Sequence, residues 1–304
     1  MPEDKQYNIF ITFDCDPANF DPSLGVLGDP GLNHLEESIP ITIKLLNQVS
    51  EKFEKSVKAT FFIRNISTDL KGKIFSEPWL QFVDLWKILI SEGHGLGLHP
   101  HIDTPIRDEE DSNFSAVVTL MKKDFTSLSL LNELGRVTRV GGHAYNELTS
   151  KILRTTNVRL DSSVIPGRKL GKYDYCSDWL TVDNNLKMDW DYPNLSNQKN
   201  PKNESLAQLP MTTLKKIGDS NYRRYIDFSF SNFEDFSLPE LESNSNDHNV
   251  VTISHPSTLL KKHYLAHRTL EFGTENWLKN FNLFFERVTS SEADIKYRLL
   301  RELS

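Results

Sequence analysis

The chain has 304 residues, of which 38% are apolar, 25% charged and 11% aromatic, the profile of a soluble globular protein rather than a disordered, collagen-like or membrane-spanning one. A chain of this length can bury roughly 75% of the surface its unfolded form exposes, so neither metal nor disulfide is needed merely to hold it together. Lys and Arg number 35 against 42 Asp and Glu, and a net charge of −7 argues against a nucleic-acid partner, against membrane insertion and against docking on anionic lipids.

Residues 8–13 (NIFITF) read as a continuous apolar strand that ends at Asp14. Ser38 followed by Pro40 marks a helix start, and Ile41, Leu45, Leu46, Val49 and Phe53 keep one face apolar to about residue 54. Residues 58–63 (KATFFI) form a second strand, and Trp79, Phe82, Val83, Trp86, Leu89 and Ile90 recur at helical spacing up to a stop at Gly93. A short strand at 95–99 and a charged loop at 106–111 lead to a helix over about 113–134, with Gly135 after it. A strand at 136–141, a helix at 146–155 and a strand at 158–162 follow. Residues 183–205, rich in Asn, Lys, Pro and Asp, read as an irregular excursion, 206–213 return to the sheet, and 214–248 have no assignable pattern. Residues 250–256 (VVTISHP) are a clear strand, and Trp277, Phe281, Phe284 and Val288 mark a C-terminal covering helix. Strands alternating with helices predict an α/β fold with a parallel sheet, and six or seven such units fit a barrel in a single domain over 1–304.

The chemically capable residues gather at the C-terminal ends of these strands: Asp14 and Asp16, then His99, His101 and Asp103, then Arg139 and His143, Asp161, and finally His255. In an α/β barrel those ends converge on one face, where such folds build their active sites. Asp14 and Asp16 lie two apart, so both carboxylates of an extended segment point the same way and Cys15 points opposite. LHPHID offers two imidazoles and a carboxylate within five residues, donor types that suit a catalytic zinc with three protein ligands and an open fourth position. Two cysteines, Cys15 and Cys176, exclude a four-thiolate site and a disulfide framework, and Cys15 reads as a small buried hydrophobe.

These segments resemble those of the polysaccharide deacetylases of the NodB-homology type (carbohydrate esterase family 4), in order, over residues 12–256. Thr12-Phe13-Asp14-Cys15-Asp16 is similar to the family's T-F-D-D strand, and Ala59-Thr60-Phe61-Phe62 to its A-T-F-F strand. Residues 92–99 (EGHGLGLH) resemble its G-H-E-I-G-x-H run, and 139–146 (RVGGHAYN) its R-P-P-Y-G-x-Y-N segment. Residues 160–167 (LDSSVIPG) resemble a run found in a branch linked to surface-polysaccharide gene sets, and His255-Pro256 matches the last motif. The resemblance implies a distorted (β/α)7 TIM-like barrel, a divalent metal, most often Zn2+, and a hydrolase of C–N bonds other than peptide bonds that removes an acetyl group, N-acetyl in preference, from a sugar or oligosaccharide. Carried over by position, Asp14 is the general base, Arg139 its orienting partner, His255 the general acid, and Asp16 and His99 metal ligands. The second acidic residue is displaced by one position. Where relatives carry a second His, this chain has Asp103, with His101 between, and either completes the ligand set.

His143, Asp161 and Trp190 are candidate substrate contacts, with Asp189-Trp190-Asp191 or Asp178-Trp179 standing in for an Asp-x-x-Asp-Trp motif. A glycan-binding barrel without catalysis, and an amidase acting on a small non-sugar amide, are the competing readings. The opening MPEDKQYNIFITF lacks a basic segment followed by an apolar core, so no signal peptide is read and a cytoplasmic location is expected, with the oligomeric state open.

Overall fold

A computed structural model describes residues 6–17, 20–21, 26–27, 32–69, 72–102, 106–141, 147–166, 188–189, 206–231, 233–237, 247–260, 273–289 and 294–303. The chain divides into two compact units, Met1–Thr60 with Met211–Leu299, and Phe61–Pro210 with Leu300–Ser304. Both are built from parallel strands and helices, so the fold is α/β.

In the first unit the strand Gln6–Cys15 is buried from Tyr7 onward, as its unbroken apolar run requires. It runs parallel to Asp247–Val251, from Gln6 opposite Asp247 to Phe10 opposite Val251, and also to Asp294–Tyr297. Residues 6–9 are in register with both neighbours, so the strand is flanked on both edges there. The parallel ladder continues past residue 251: Ser254 N–H donates to the Thr12 carbonyl at 3.0 Å, and Asp14 N–H to the Ser254 carbonyl at 2.8 Å. This register carries His255 up beside the Asp14–Asp16 segment.

The helix Leu35–Phe53 buries Leu35, Ile39, Leu45, Leu46 and Val49 on one stripe. It begins three residues before Ser38, because a 3-10 turn at Leu32–His34 already supplies the first turn, and Pro40 therefore lies inside the helix. Glu54 closes it in the left-handed region, at φ 53°. The closing helix Thr274–Thr289 presents Trp277, Phe281 and Phe284 to Phe228, with ring centroids 5.0, 5.3 and 5.5 Å apart. The stretch with no assignable pattern holds an antiparallel sheet of Thr213–Lys216, Asp219–Tyr225 and Phe236–Ser237.

In the second unit Gly95–Leu98, Val137–Thr138, Leu160–Asp161 and Ala207–Gln208 are successive parallel neighbours, and Met188–Asp189 adds antiparallel to the last. The remainder of the 183–205 excursion lies outside the described residues. Val83–Ser91, Ser112–Leu130 and Glu147–Thr155 are its helices. Gly93 ends the first at φ 83°, as its position predicts. The second stops at Leu130, short of Gly135, because Asn132 takes the left-handed turn instead at φ 62°. A hairpin, Ile66–Thr68 with Ile74–Ser76, was not legible in the sequence. Behind it Asn65 and Trp79 donate to the buried Asp124 carboxylate at 2.7 and 3.1 Å, a polar core that anchors the helix Ser112–Leu130.

In the first unit Asn280 is 3% exposed and its amide donates to the Phe228 and Phe230 carbonyls at 2.7 and 2.8 Å. Asn280→Leu leaves two buried acceptors unsatisfied and should lower stability by about 2–4 kcal/mol in chemical denaturation. A loss below about 0.5 kcal/mol would show that these bonds do not hold the Phe228 loop.

Candidate functional site

The first unit carries one half of the candidate chemistry. Strand alternation buries Cys15 completely on the side away from the two carboxylates. Burial, with the charges of Asp14 and Asp16 added, pushes its thiol well up, so it is no nucleophile. Asp14 is 3% exposed. The Asp16 side chain, 18% exposed, has a carboxylate oxygen 3.6 Å from His255 Nε2. His255 sits in extended backbone, at φ −118°, immediately before a 3-10 turn that starts with Pro256. Burial alone pulls this imidazole down. The hydrogen bond and charge of Asp16, joined by the charges of Asp14 and Asp227, outweigh that and push it up to about 9.

Asp227 is the residue that sequence reading missed. It is 2% exposed and accepts from Ser229 N–H at 2.9 Å and from Ser254 Oγ at 3.3 Å. Burial raises its pKa, with His255 and Ser229 acting in the opposite sense. Trp277 Nε1 donates to Ser254 Oγ at 3.2 Å, so the closing helix braces the same cluster. The detectable signal is an acid two residues past the end of the strand Asp219–Tyr225, close to the strand-end position that flagged the other candidates.

The second unit carries the imidazole pair. His99 follows the strand Gly95–Leu98, and His101 bridges to Gly141 in parallel register. Both are buried, at 2% and 6% exposure. His99 Nδ1 lies 2.6 Å from the Arg139 carbonyl, which can only accept. Neutral His99 therefore carries its proton on Nδ1 and presents a bare lone pair on Nε2. That atom lies 3.1 Å from His101 Nε2, with the rings nearly perpendicular at 84°. Two nitrogens so placed share either a proton or a cation, and around a tetrahedral zinc they would stand ~3.3 Å apart. The donor set fits a divalent metal.

The surroundings enforce this placement. A Cβ at Gly141 would overlap the His101 imidazole. Arg139, 1% exposed, gives Nε to the Ser162 carbonyl at 3.0 Å and Nη2 to Ser162 Oγ at 3.2 Å, and its guanidinium lies 4.5 Å over the Phe62 ring. A Cβ at Gly97 would come within 2.8 Å of that ring. Asp161 is fully buried and accepts from Thr138 Oγ1, Ser163 Oγ and Ser163 N–H at 2.8, 2.8 and 3.0 Å; burial raises its pKa. It ties two strand ends together. Asp103, His143 and Trp190 lie outside the described residues.

No protein-family model matches the chain, and no curated protein matches its sequence. Among solved structures, a protein of Mycobacterium smegmatis described as a candidate polysaccharide deacetylase is 12% identical, with a TM-score of 0.54 over 100% of this chain and 90% of its own. The likeness is one of fold. Weaker likenesses are to a 4-alpha-glucanotransferase of Thermococcus litoralis (13% identity, TM-score 0.48, 99% of this chain and 40% of that one), and to a candidate polysaccharide deacetylase involved in O-antigen biosynthesis from Bordetella bronchiseptica (12%, 0.40, 91% and 90%). Neither adds to the assignment.

Because the folded pKa of His255 exceeds its unfolded ~6.5, its stabilising contribution is full below that pH and lost as pH rises through about 9. In chelator-treated protein, NMR should give a midpoint near 9 that falls by a unit or more in Asp16→Asn; an unchanged midpoint in the variant would refute the pairing. Gly141→Ala should displace His101 and weaken zinc binding by ~10-fold or more in calorimetry, and wild-type affinity would show that the imidazole is not a ligand.

Proposed function

We propose that the chain is a metal-dependent hydrolase that removes an acetyl group, N-acetyl in preference, from a sugar or polysaccharide precursor. The observation that carries this reading is the buried His99–His101 pair, whose Nε2 atoms stand 3.1 Å apart with the His99 proton committed to a carbonyl on the opposite nitrogen. The likeness of fold to a candidate polysaccharide deacetylase supports it, as does the ordered sequence resemblance. We take 1–304 as one domain of distorted (β/α)7 barrel type, working in the cytoplasm. Among the described residues no helix is long and apolar enough to cross a membrane.

In this reading His99 and His101 would hold the cation, zinc being the best match to their nitrogen donors, with Asp16 and Asp103 the candidate carboxylate ligands from the sequence. A bound ion would supply Lewis acidity and lower the pKa of water toward ~7. Asp14, buried at the end of its strand, takes the proton of the attacking water. Arg139 orients Asp14 from a position that Ser162 and Phe62 hold fixed. His255, held near the Asp14–Asp16 segment, gives its proton to the departing amine. The charge of Asp227 adds to the upward pull on that imidazole. His143 and Trp190 contact the sugar.

The purified protein with zinc should release acetate from N-acetylated sugars or oligosaccharides, lose that activity to a chelator and regain it with zinc. Asp14→Asn and His255→Gln should each lower kcat by ~10²–10⁴-fold without changing zinc content. Glycan binding that persists in Asp14→Asn, with no acetate released by wild type, would favour the non-catalytic reading, and turnover of small cyclic or linear amides alone would favour the amidase.

A further inference from the structure

In the second unit Arg64 and Asn65 separate the strand Ala59–Ile63 from the hairpin strand Ile66–Thr68, and both are fully buried. This short stretch is the edge on which the imidazole pair is laid. His99 N–H donates to the Ile63 carbonyl at 2.7 Å and His101 N–H to the Ile66 carbonyl at 2.9 Å, while Thr68 Oγ1 donates to the His101 carbonyl at 3.3 Å. On the other side the histidine segment meets the Arg139 carbonyl and Gly141, whose N–H donates to the Pro100 carbonyl at 3.0 Å. The 3.1 Å between the two Nε2 atoms therefore depends on where residues 63–68 stand.

A buried charge cluster fixes that stretch. Arg64 Nε donates to Ser67 Oγ at 2.8 Å and lies 3.8 Å from Glu77 Oε1, and Ser67 Oγ in turn donates to the Glu77 carboxylate. The two charged side chains are 0% and 2% exposed. Glu77 follows the partner strand Ile74–Ser76, and its N–H donates to the Asn65 carbonyl at 2.9 Å, so it grips the stretch through backbone and side chain together. Asn65 is held from another direction, by the Asp124 carboxylate at 2.7 Å. Stability alone is a poor reason for such a cluster. The hydration lost by two buried charges can exceed their mutual attraction, and an apolar pair of similar size often stabilises a core as well or better. An apolar pair lacks direction, whereas a planar guanidinium bonded to a hydroxyl and a carboxylate admits few arrangements.

We propose that Arg64, Ser67 and Glu77 are positioning residues for the His99–His101 pair. The cluster locks residues 63–68, and the carbonyls of Ile63 and Ile66 then set the two imidazoles at the spacing that a shared cation needs. All three act through the backbone rather than by touching the ion or a substrate. The purpose of this arrangement rests on the metal-centred reading, but its geometry can be tested without metal.

Ser67→Ala breaks the link between the two charges while keeping both, and Arg64→Met with Glu77→Leu replaces the pair by apolar side chains that should keep the protein folded in chemical denaturation. In metal-free protein the NMR resonance of the His99 Nδ1 proton should be present in wild type and lost to solvent exchange in both variants. Zinc affinity in calorimetry should fall by ~10-fold or more in both. Wild-type resonance and zinc affinity in Ser67→Ala would overturn the proposal. So would their return to wild-type values in the apolar double variant, which would leave the cluster a stabilising role only. A wild-type protein that takes up no zinc, with the resonance still lost in the variants, would support the positioning role and count against the metal-centred reading instead.

Discussion

A buried imidazole pair dominates the second unit. With the His99 proton committed to the Arg139 carbonyl at 2.6 Å, the other nitrogen of His99 must find a proton or a cation, and it faces His101 Nε2 at 3.1 Å. Everything nearby serves that constraint. Gly141 has no side chain because the imidazole occupies its place, and the Arg139 backbone that holds His99 is itself placed by the buried contacts of its guanidinium to Ser162 and Phe62. Bonding of this kind from a ligand's second nitrogen fixes both tautomer and ring orientation.

In the first unit a single imidazole answers to three acids. Asp16 exerts the largest upward pull on His255, and Asp14 and Asp227 act through their charges. Asp227 is in turn held by Ser229 and Ser254, and Ser254 by Trp277, so the closing helix reaches the candidate acid through two hydrogen bonds and one carboxylate. If the Asp16 carboxylate were engaged by a cation, that largest upward pull would weaken and the imidazole would move toward its ordinary range.

Long apolar runs and strand-end acids were legible because burial writes them into local composition: the strand Gln6–Cys15 and the ladder to residue 254 follow from NIFITF and VVTISHP. The second unit's strands at 137–138 and 160–161 are two residues long, yet His99, Arg139 and Asp161 were still placed correctly at or beside strand ends, since a polar residue closing a short apolar run marks the same point. Helix boundaries shifted where another residue could make the turn, as at Leu32–His34 and Asn132. The hairpin at 213–225 escaped notice because its cations interrupt the expected alternation of apolar and polar positions, and Asp227 escaped with it.

The most direct test of the metal-centred reading is a crystal structure of the zinc-loaded protein with diffraction recorded at the zinc edge. One anomalous peak about 2.0–2.2 Å from Nε2 of both His99 and His101 is the expected result. No peak, or a zinc bound elsewhere while the two imidazoles keep only a proton between them, would contradict it.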